Sequence, residues 1–587
     1  TKRPDRYTTG LINMTTDCFA NSTMQALSSL PELNKYLNCI VRIHSNLKKT
    51  TNDKVVPKLV LHLALVDLMS KLQEIIFSNR VISVWDFLHV LEKIYNSRIS
   101  RNQHDAHELL QLILETLLIE YNNLKKVFEK GKDEDDIFPD FPFSSELYSG
   151  LRCMRCGKKS SINYNPMMIL SLAVPQEISI DLESLLKRSE SETIDDYSCL
   201  RCMINFILND VKKRSDFSAE ELKYLEELKD GSEKDELLIN DDLDSKLEKY
   251  IKSYPGIKDP SLKSAVHKQT SIIIPPRILP IHLSRSIFLD THAWRNSCNV
   301  NFGEYLTLKV DSKELEAYKR HEEEKASDKN EKDTKASDEF NEDANSDDDE
   351  VVLSNSSDEN DPDDDSLEVD DDDENEEEEE EEDDDDEDKA AGGLTSTSTL
   401  VNDEKPGFKT YRYKLKAVIR HQGSHQLGHY ECYKRKPVFY KNAITGEFYK
   451  KFPELTDSRL VRQEGILSAI TNNNANGNKV ETAKTRRRAS SNFSRFRSRV
   501  SSLVGGSRPT TLPNGDLNES ATSNSSTTIS SLNNGSGGKS GVKDKKLASS
   551  VKHPFWRISD SKITEFAGLD VLADSKAVYM IFYELVD

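Results

Sequence analysis

The sequence predicts an α+β protein in which a helical first part leads into a mostly antiparallel sheet. Three features predict it. Apolar residues before about position 145 recur at helical spacing, those from Glu146 onward fall into short β-rich runs bounded by turn residues, and these runs continue to the C-terminus between stretches with no core-forming pattern. LNCIVRIH and VVPKLVLHLALVDLMSKL are apolar stretches set among helix formers. HELLQLILETLLIEY carries Leu109, Leu112, Ile113 and Leu117 on one stripe, which Leu110, Leu114 and Leu118 widen to nearly every face, as in a buried helix. The strand-like runs are ELYSGLRC, MMILSLAV, TSIIIPPRILPIHLSR, YLTLKV, YRYKLKAVIRHQ, ECYKRKPVFY and AVYMIFYEL.

Three stretches interrupt the pattern. Residues 203–265 are rich in Lys, Glu and Leu and read as local helices. Residues 311–405 hold an acidic run that cannot bury enough apolar surface to offset ordering, and residues 454–548 are rich in Ser, Asn and Gly; both read as disordered. The segments flanking each stretch read as strands of one sheet, so the stretches are loops grown from one fold and not linkers between independent domains. The resulting divisions are 1–145, 146–310, 311–405, 406–453, 454–548 and 549–587.

Composition narrows the function. Mean hydropathy is -0.65 and the sequence pI is about 5.2. Residues 342–388 alone carry 31 acidic and no basic side chains, which leaves 80 basic against 71 acidic elsewhere. The acidity therefore belongs to one insertion, and the rest of the surface is not built to repel anions. Eight cysteines in 587 residues are too few for a disulfide scaffold and point to a reducing, intracellular setting. No run of roughly 18 apolar residues is present, so nothing reads as spanning a bilayer. The chain begins at Thr1, and an N-terminal anchor or address is not readable from it.

Cys18 lies in GLINMTTDCFANS at the start of a helix whose Met24, Leu27 and Leu30 share a face. A thiol at a helix N-terminus is favoured as thiolate by the dipole and by free N–H groups; the alternative is a buried, inert cysteine. A nucleophile needs a base, and HQGSHQLGHYECYKRK offers His429, directly after Gly428 at a strand start, with His425 and His429 as ordinary turn histidines the competing reading. Cys153-Met-Arg-Cys156 and Cys199-Leu-Arg-Cys202, with forty-two residues between them, read as two β-turn knuckles making a four-thiolate structural zinc site, or else as redox dithiols. Cys39, Cys298 and Cys432 read as ordinary thiols.

Cys18 in its box, NQHDAHELL, the two CxxC pairs, SHQLGHYECYKR and FWRISDSKITEF with AVYMIFYEL occur in the order seen in ubiquitin-specific proteases, and over most of the chain outside the insertions the sequence resembles that family of papain-like thiol deubiquitinases. The resemblance implies a thumb (1–145), palm and fingers (146–310, with the helical insertion), a palm segment with the base (406–453) and a closing palm segment (549–587). It also implies ubiquitin and ubiquitinated proteins as partners, a monomer, no nucleic acid, structural zinc at the finger tip and no catalytic cofactor. Cys18 would attack the carbonyl of ubiquitin's terminal glycine and His429 would move the proton. Asn13, five residues before the cysteine, would donate to the oxyanion, with a turn asparagine as its other reading. Asp105 and Glu108 would grip arginines of the ubiquitin tail, or else serve the helix dipole.

Two departures from the family pattern matter. Met14, Thr15, Thr16 and Asp17 replace the usual Gly and Asn-Thr; Thr15 would be strained at positive φ, and Asp17 would oppose a thiolate beside it. In Phe555-Trp556-Arg557-Ile558-Ser559-Asp560, Ser559 falls where relatives carry the acid or amide that orients the imidazole, with Asp560 the competing orienter. Serine there resembles the branch anchored in the mitochondrial outer membrane. The altered loop leaves open a ubiquitin-binding scaffold without turnover, and the acidic run a zinc-ribbon chaperone of basic partners. TRRRASSNFSRFRSRVSSLV, at 485–504, reads as a lipid-binding or acid-binding stretch, as a kinase site at Ser490, or as a merely solvated, disordered stretch.

Overall fold

A computed structural model describes residues 3–50, 55–99, 104–131, 137–212, 218–233, 238–239, 243–289, 292–338, 407–423, 428–455 and 544–586. Two compact units divide the chain. One is Thr1–Leu315 with Phe408–Asp587; the other is Glu316–Gly407, described through the latter part of one helix and at Gly407.

In chain order, β1 (Thr9–Leu11), α1 (Cys18–Leu27), α2 (Pro31–Thr50), α3 (Val60–Leu72), β2 (Arg80–Ile82), α4 (Trp85–Tyr95) and α5 (Ala106–Lys130) make the first part. There follow β3 (Ser145–Cys153), β4 (Asn163–Met167), β5 (Leu170–Ala173), β6 (Ser179–Asp181), α6 (Leu182–Ser189), β7 (Ser191–Tyr197), α7 (Leu200–Val211), α8 (Ala219–Glu233) and α9 (Ser245–Ser253). Then come β8 (Ser264–Ile274), β9 (Ile278–Ser284), β10 (Ser286–Leu289), β11 (His292–Arg295), β12 (Asn299–Asn301), β13 (Tyr305–Asp311) and α10 (Ser312–Asp338). The last elements are β14 (Phe408–Gly423), β15 (Gly428–Arg435), β16 (Val438–Lys441), β17 (Phe448–Lys451), β18 (Lys545–Lys546), α11 (Ala548–Lys552), β19 (Phe555–Ser559), β20 (Lys562–Phe566), α12 (Gly568–Ala573) and β21 (Val578–Leu585).

An eight-stranded sheet in the order β20-β19-β15-β14-β21-β9-β5, with β13 also on β14, is the floor of the site. Its pairings are antiparallel except β5 with β9. Period-two alternation explains how it is covered on both faces. Met580 and Phe582 of β21 pack with Phe19, Met24 and Leu110 of the helices, whereas Ile581 and Tyr583 pack on the other face with Leu182 and Leu185 of α6. A separate four-stranded sheet, β4-β3-β8-β7, carries the first cysteine pair at the end of β3.

The helices are tied by a buried polar thread. Glu120 of α5 accepts from the N–H groups of Leu61 (2.9 Å) and His62 (3.1 Å), capping α3 from outside, and also meets His62 Nδ1 at 2.7 Å. His62 Nε2 lies 2.8 Å from the Tyr36 hydroxyl on α2, so three helices share one satisfied network.

Two expectations need correction. The second cysteine pair is not in a β-turn knuckle: Cys199 is the residue before α7 and Cys202 lies in its first turn, because LRCMINFILNDV has the apolar spacing of a helix. Residues 312–338 form α10 where disorder is expected; SKELEAYKRHEEEK is rich in good helix formers with Lys and Glu in near-neighbour spacing. The acidic run proper and the 485–504 stretch lie outside the described residues.

Candidate active site

Asp17 sits immediately before α1 and hands the chain to Cys18, which is buried. Burial pushes the Cys18 thiol up; the carboxylate of Asp560 pushes it the same way, while backbone groups of Tyr430 and Phe19 pull it down. The expected advantage of the helix N-terminus is thus outweighed by desolvation of the charged form. The carboxylate acting against the thiolate is also not the expected one. Asp17 Oδ2 accepts from the Met14 N–H (3.0 Å) and the Trp85 indole N–H (3.1 Å), and the Asp17 N–H donates to Asn13 Oδ1 (3.0 Å). Nor is Thr15 strained: among the described residues, positive φ outside glycine occurs only at Asn96, Asp196 and Asp560.

His429 enters from the sheet. β14 and β15 pair with Gln422 opposite His429 and Gly423 opposite Gly428. A Cβ on Gly428 would lie 2.2 Å from His421 Nε2 and 2.4 Å from the Gln422 carbonyl oxygen, so close approach excludes any side chain just before the histidine. His425 lies outside the described residues. His429 Nε2 is 2.8 Å from Ser559 Oγ, the last residue of β19, which leaves Nδ1 as the other ring nitrogen.

Asp560 opens the β19–β20 turn at φ 53°, a conformation Asp tolerates better than most residues. Its Oδ2 is 3.9 Å from His429 Nε2, beyond hydrogen-bond range. It accepts instead from Asn13 Nδ2 at 2.9 Å and from Asn21 Nδ2 at 2.7 Å, and its carbonyl accepts from the Leu11 N–H at 3.1 Å. At Gly10 an added Cβ would meet the Ser561 Cα at 3.0 Å, so the turn rests directly on the chain leading to Cys18. Ser559 contacts the imidazole, and Asp560 fixes the loop that carries Asn13.

Asp105 is the N-cap of α5. Its Oδ1 accepts from the His107 N–H at 2.7 Å, and its Oδ2 takes the Tyr579 hydroxyl at 2.5 Å. Glu108 is half-buried in the first turn. Between them His107 stacks on His282 with centroids 4.0 Å apart; burial and then the neighbouring His107 push His282 down to about 3.

The four cysteines of the two CxxC pairs converge, with all sulfurs within 4.8 Å of one another. Cys153 and Cys202 are 3.8 Å apart and Cys156 and Cys199 are 3.7 Å apart. Four sulfurs about 2.3 Å from a central zinc would sit about 3.8 Å apart, so the donor set fits a tetrahedral ion. Gly157, at φ 73°, donates its N–H to the Cys153 carbonyl (2.9 Å) and closes the first pair. The buried Ile239 joins the pairs, donating to Lys159 O and accepting from the Leu200 N–H, both at 3.2 Å.

Sequence reasoning missed Asn21, Trp85 and Tyr579. Asn21 lies three residues beyond Cys18, almost one helical turn, so its position facing the same turn of β19–β20 followed from the helix itself. Trp85 and Tyr579 come from remote elements and carry no local signal.

A family profile described as ubiquitin carboxyl-terminal hydrolase matches residues 9–460. Ubiquitin carboxyl-terminal hydrolase 16 of Saccharomyces cerevisiae is 26% identical over 612 residues, covering 99% of this chain and 90% of that protein. The protein of the same name in Emericella nidulans is 28% identical over 362 residues, which is 51% of this chain and 57% of that protein. A solved SAGA DUB module bound to monoubiquitin aligns with TM-score 0.40 and 14% identity, over 100% of this chain and 71% of that one.

Proposed function

The chain belongs to the ubiquitin carboxyl-terminal hydrolase family, and from that premise we propose a Cys18-His429-Ser559 thiol mechanism served by Asn13. The protein is a cysteine-type deubiquitinase. The observation that carries the assignment is the 2.8 Å contact of His429 Nε2 with Ser559 Oγ, made where β15 passes the buried thiol at the start of α1.

His429 Nδ1 takes the Cys18 proton as sulfur adds to the carbonyl carbon of ubiquitin's terminal glycine, and the negative charge develops on the carbonyl oxygen. Asn13, held by Asp560, donates to that oxygen. Collapse expels the amine, which leaves with the proton from His429; water, deprotonated by the same imidazole, then releases ubiquitin and restores the thiol. Ser559 accepts the Nε2–H and so selects the tautomer whose Nδ1 is free to act as base, though it stabilises the imidazolium less than a carboxylate does. Asp105 and Glu108 offer carboxylates one turn apart for the arginines of the ubiquitin tail. The four-cysteine group can hold a metal ion, and zinc in a structural role suits an all-thiolate set.

Ubiquitin with a C-terminal electrophile tests the reading: the parent forms a covalent adduct, and Cys18→Ala forms none. Binding without an adduct in the parent would favour the scaffold reading, which the raised Cys18 thiol supports. One chain supplies every residue of this site, which suits a working monomer. The serine orienter is also the reason to place the protein with the branch at the mitochondrial outer membrane, facing the cytosol. No helix among the described residues is long and apolar enough to cross a membrane, so that placement rests on Ser559 alone. A diffuse cytosolic distribution of the tagged protein would remove it.

A further inference from the structure

β14 outruns its neighbour. On one side it pairs with β15 to its last residue, Gly423 opposite Gly428. On the other its final partner in β21 is Val578, opposite Arg420, and the His421 N–H then reaches the carbonyl of Ala577 at 2.8 Å. Residues two apart in a strand present their backbone groups to the same side, so the carbonyls of His421 and Gly423 face away from β15, where β21 has ended. A strand edge with unpaired carbonyls frays unless something meets them.

Arg295 meets them. From the last position of β11 its guanidinium donates through Nη1 to the Gly423 carbonyl at 3.0 Å and through Nη2 to the His421 carbonyl. The residue between these two acceptors, Gln422, is the ladder partner of His429. The His421 ring in turn stacks on Tyr430 with centroids 4.3 Å apart, a second link to the residue that follows His429. Arg295 itself is held from behind. The buried Arg285 donates to the carbonyls of Val578 (2.8 Å), Cys298 (2.7 Å) and Asn296 (3.1 Å), and the Asn296 N–H returns to the Arg285 carbonyl at 2.7 Å. The β10–β11 hairpin therefore has a fixed base, and its last side chain substitutes for the strand that β14 lacks.

We propose that Arg295 is a positioning residue for His429, keeping the end of β14 in register so that the imidazole stays aimed at Cys18. The inference rests on the Cys18-His429 reading. The planar fork matters: two donors reach two carbonyls at once, whereas a lysine ammonium reaches one at a time.

The test uses the full chain as parent, Arg295→Gln, Arg295→Lys and Cys18→Ser, with ubiquitin carrying a C-terminal fluorogenic amide. Arg295→Gln lowers kcat by about tenfold or more with KM within about threefold, and Arg295→Lys falls between it and the parent, because a displaced catalytic group costs rate and not binding. Thermal unfolding, run alongside, shows both variants folded at the assay temperature. A kcat within threefold of the parent overturns the proposal, as does a change confined to KM, which would make Arg295 a ubiquitin contact. If Arg295→Gln does not fold, Arg295→Lys decides by the same criteria. If neither folds, Arg295 is a structural clamp only and the proposal is wrong. A parent without Cys18-dependent turnover fails the reading of the site; an active parent matched by both variants fails this inference alone.

Discussion

Asp560→Asn should move two properties of the site in opposite directions. The carboxylate accepts from Asn13 at 2.9 Å and from Asn21 at 2.7 Å while pushing the Cys18 thiol up. Asparagine tolerates the left-handed backbone at φ 53° and fills the same space, so the turn is retained. One oxygen becomes an NH2 group facing a donor, so at least one charge-assisted bond is lost, about 1.5–3 kcal/mol. If that loss falls on the placement of Asn13 at the oxyanion, kcat drops roughly 10- to 150-fold. Removing the charge also relieves one of the two influences that hold the thiol up, so thiolate forms at lower pH. Alkylation of Cys18 by iodoacetamide, followed against pH, should show its midpoint moved down, while hydrolysis of a ubiquitin C-terminal amide slows. Faster alkylation with faster hydrolysis would show that Asp560 is only a brake on the thiol. An unchanged alkylation profile would show that its charge does not reach the sulfur.

Ser559→Ala should lower kcat/KM at least about tenfold by removing one bond to an imidazole that becomes charged, whereas Ser559→Asp should be tolerated; the reverse order, measured with the same substrate, would defeat the serine assignment. Metal analysis of the purified protein should give one zinc per chain, and Cys199→Ser should lose it with a lower Tm, because a closed thiolate site contributes folding free energy. Joining Asp311 to Phe408, the last pair of β13 with β14, through a short turn should leave hydrolysis within severalfold; a loss of several hundredfold would show that residues 312–407 build the site. The buried Lys434, bonded to Gln25 Oε1 at 3.2 Å and the Leu72 carbonyl at 3.4 Å, is pushed by burial from 10.5 down to about 7. Between those values the unfolded chain binds a proton the folded one does not, so stability is lost as pH falls from about 10.5 to about 7 and levels off below. Tm of the parent measured against Lys434→Met should show that slope, and a flat difference would refute it.

The first-part helices and the long strands were readable because each writes its period into consecutive residues. Met580 and Phe582 against Ile581 and Tyr583 separate the two faces of β21 without any knowledge of what covers them. TSIIIPPRILPIHLSR was readable as strand, but as one run, which Pro275-Pro276 splits into β8 and β9. The start of α7 was not, because a CxxC pair looks alike in a turn and in a helix's first turn, and only the apolar spacing after Cys202 separates the two.

The electrostatics of the thiol were less readable than its identity. Proximity in sequence makes Asp17 the natural opponent of a Cys18 thiolate, yet Asp17 spends its acceptors on Met14 and Trp85, and the carboxylate that acts on the sulfur is Asp560. Asp560 is separated from Asn21 by 539 residues and from Asn13 by 547. No window on the sequence spans such a pair; what brings them together is the turn after β19 resting on Gly10. The same distance explains why Ser559 and Asp560 compete as orienters on paper and divide the work in space. A strand end and the turn residue after it point to different sides, so of two adjacent polar residues one reaches the imidazole and the other reaches the loop before Cys18. In this chain the two adjacent polar residues make two separate contacts, Ser559 to His429 and Asp560 to Asn13, so a serine in the first position does not disturb the second contact.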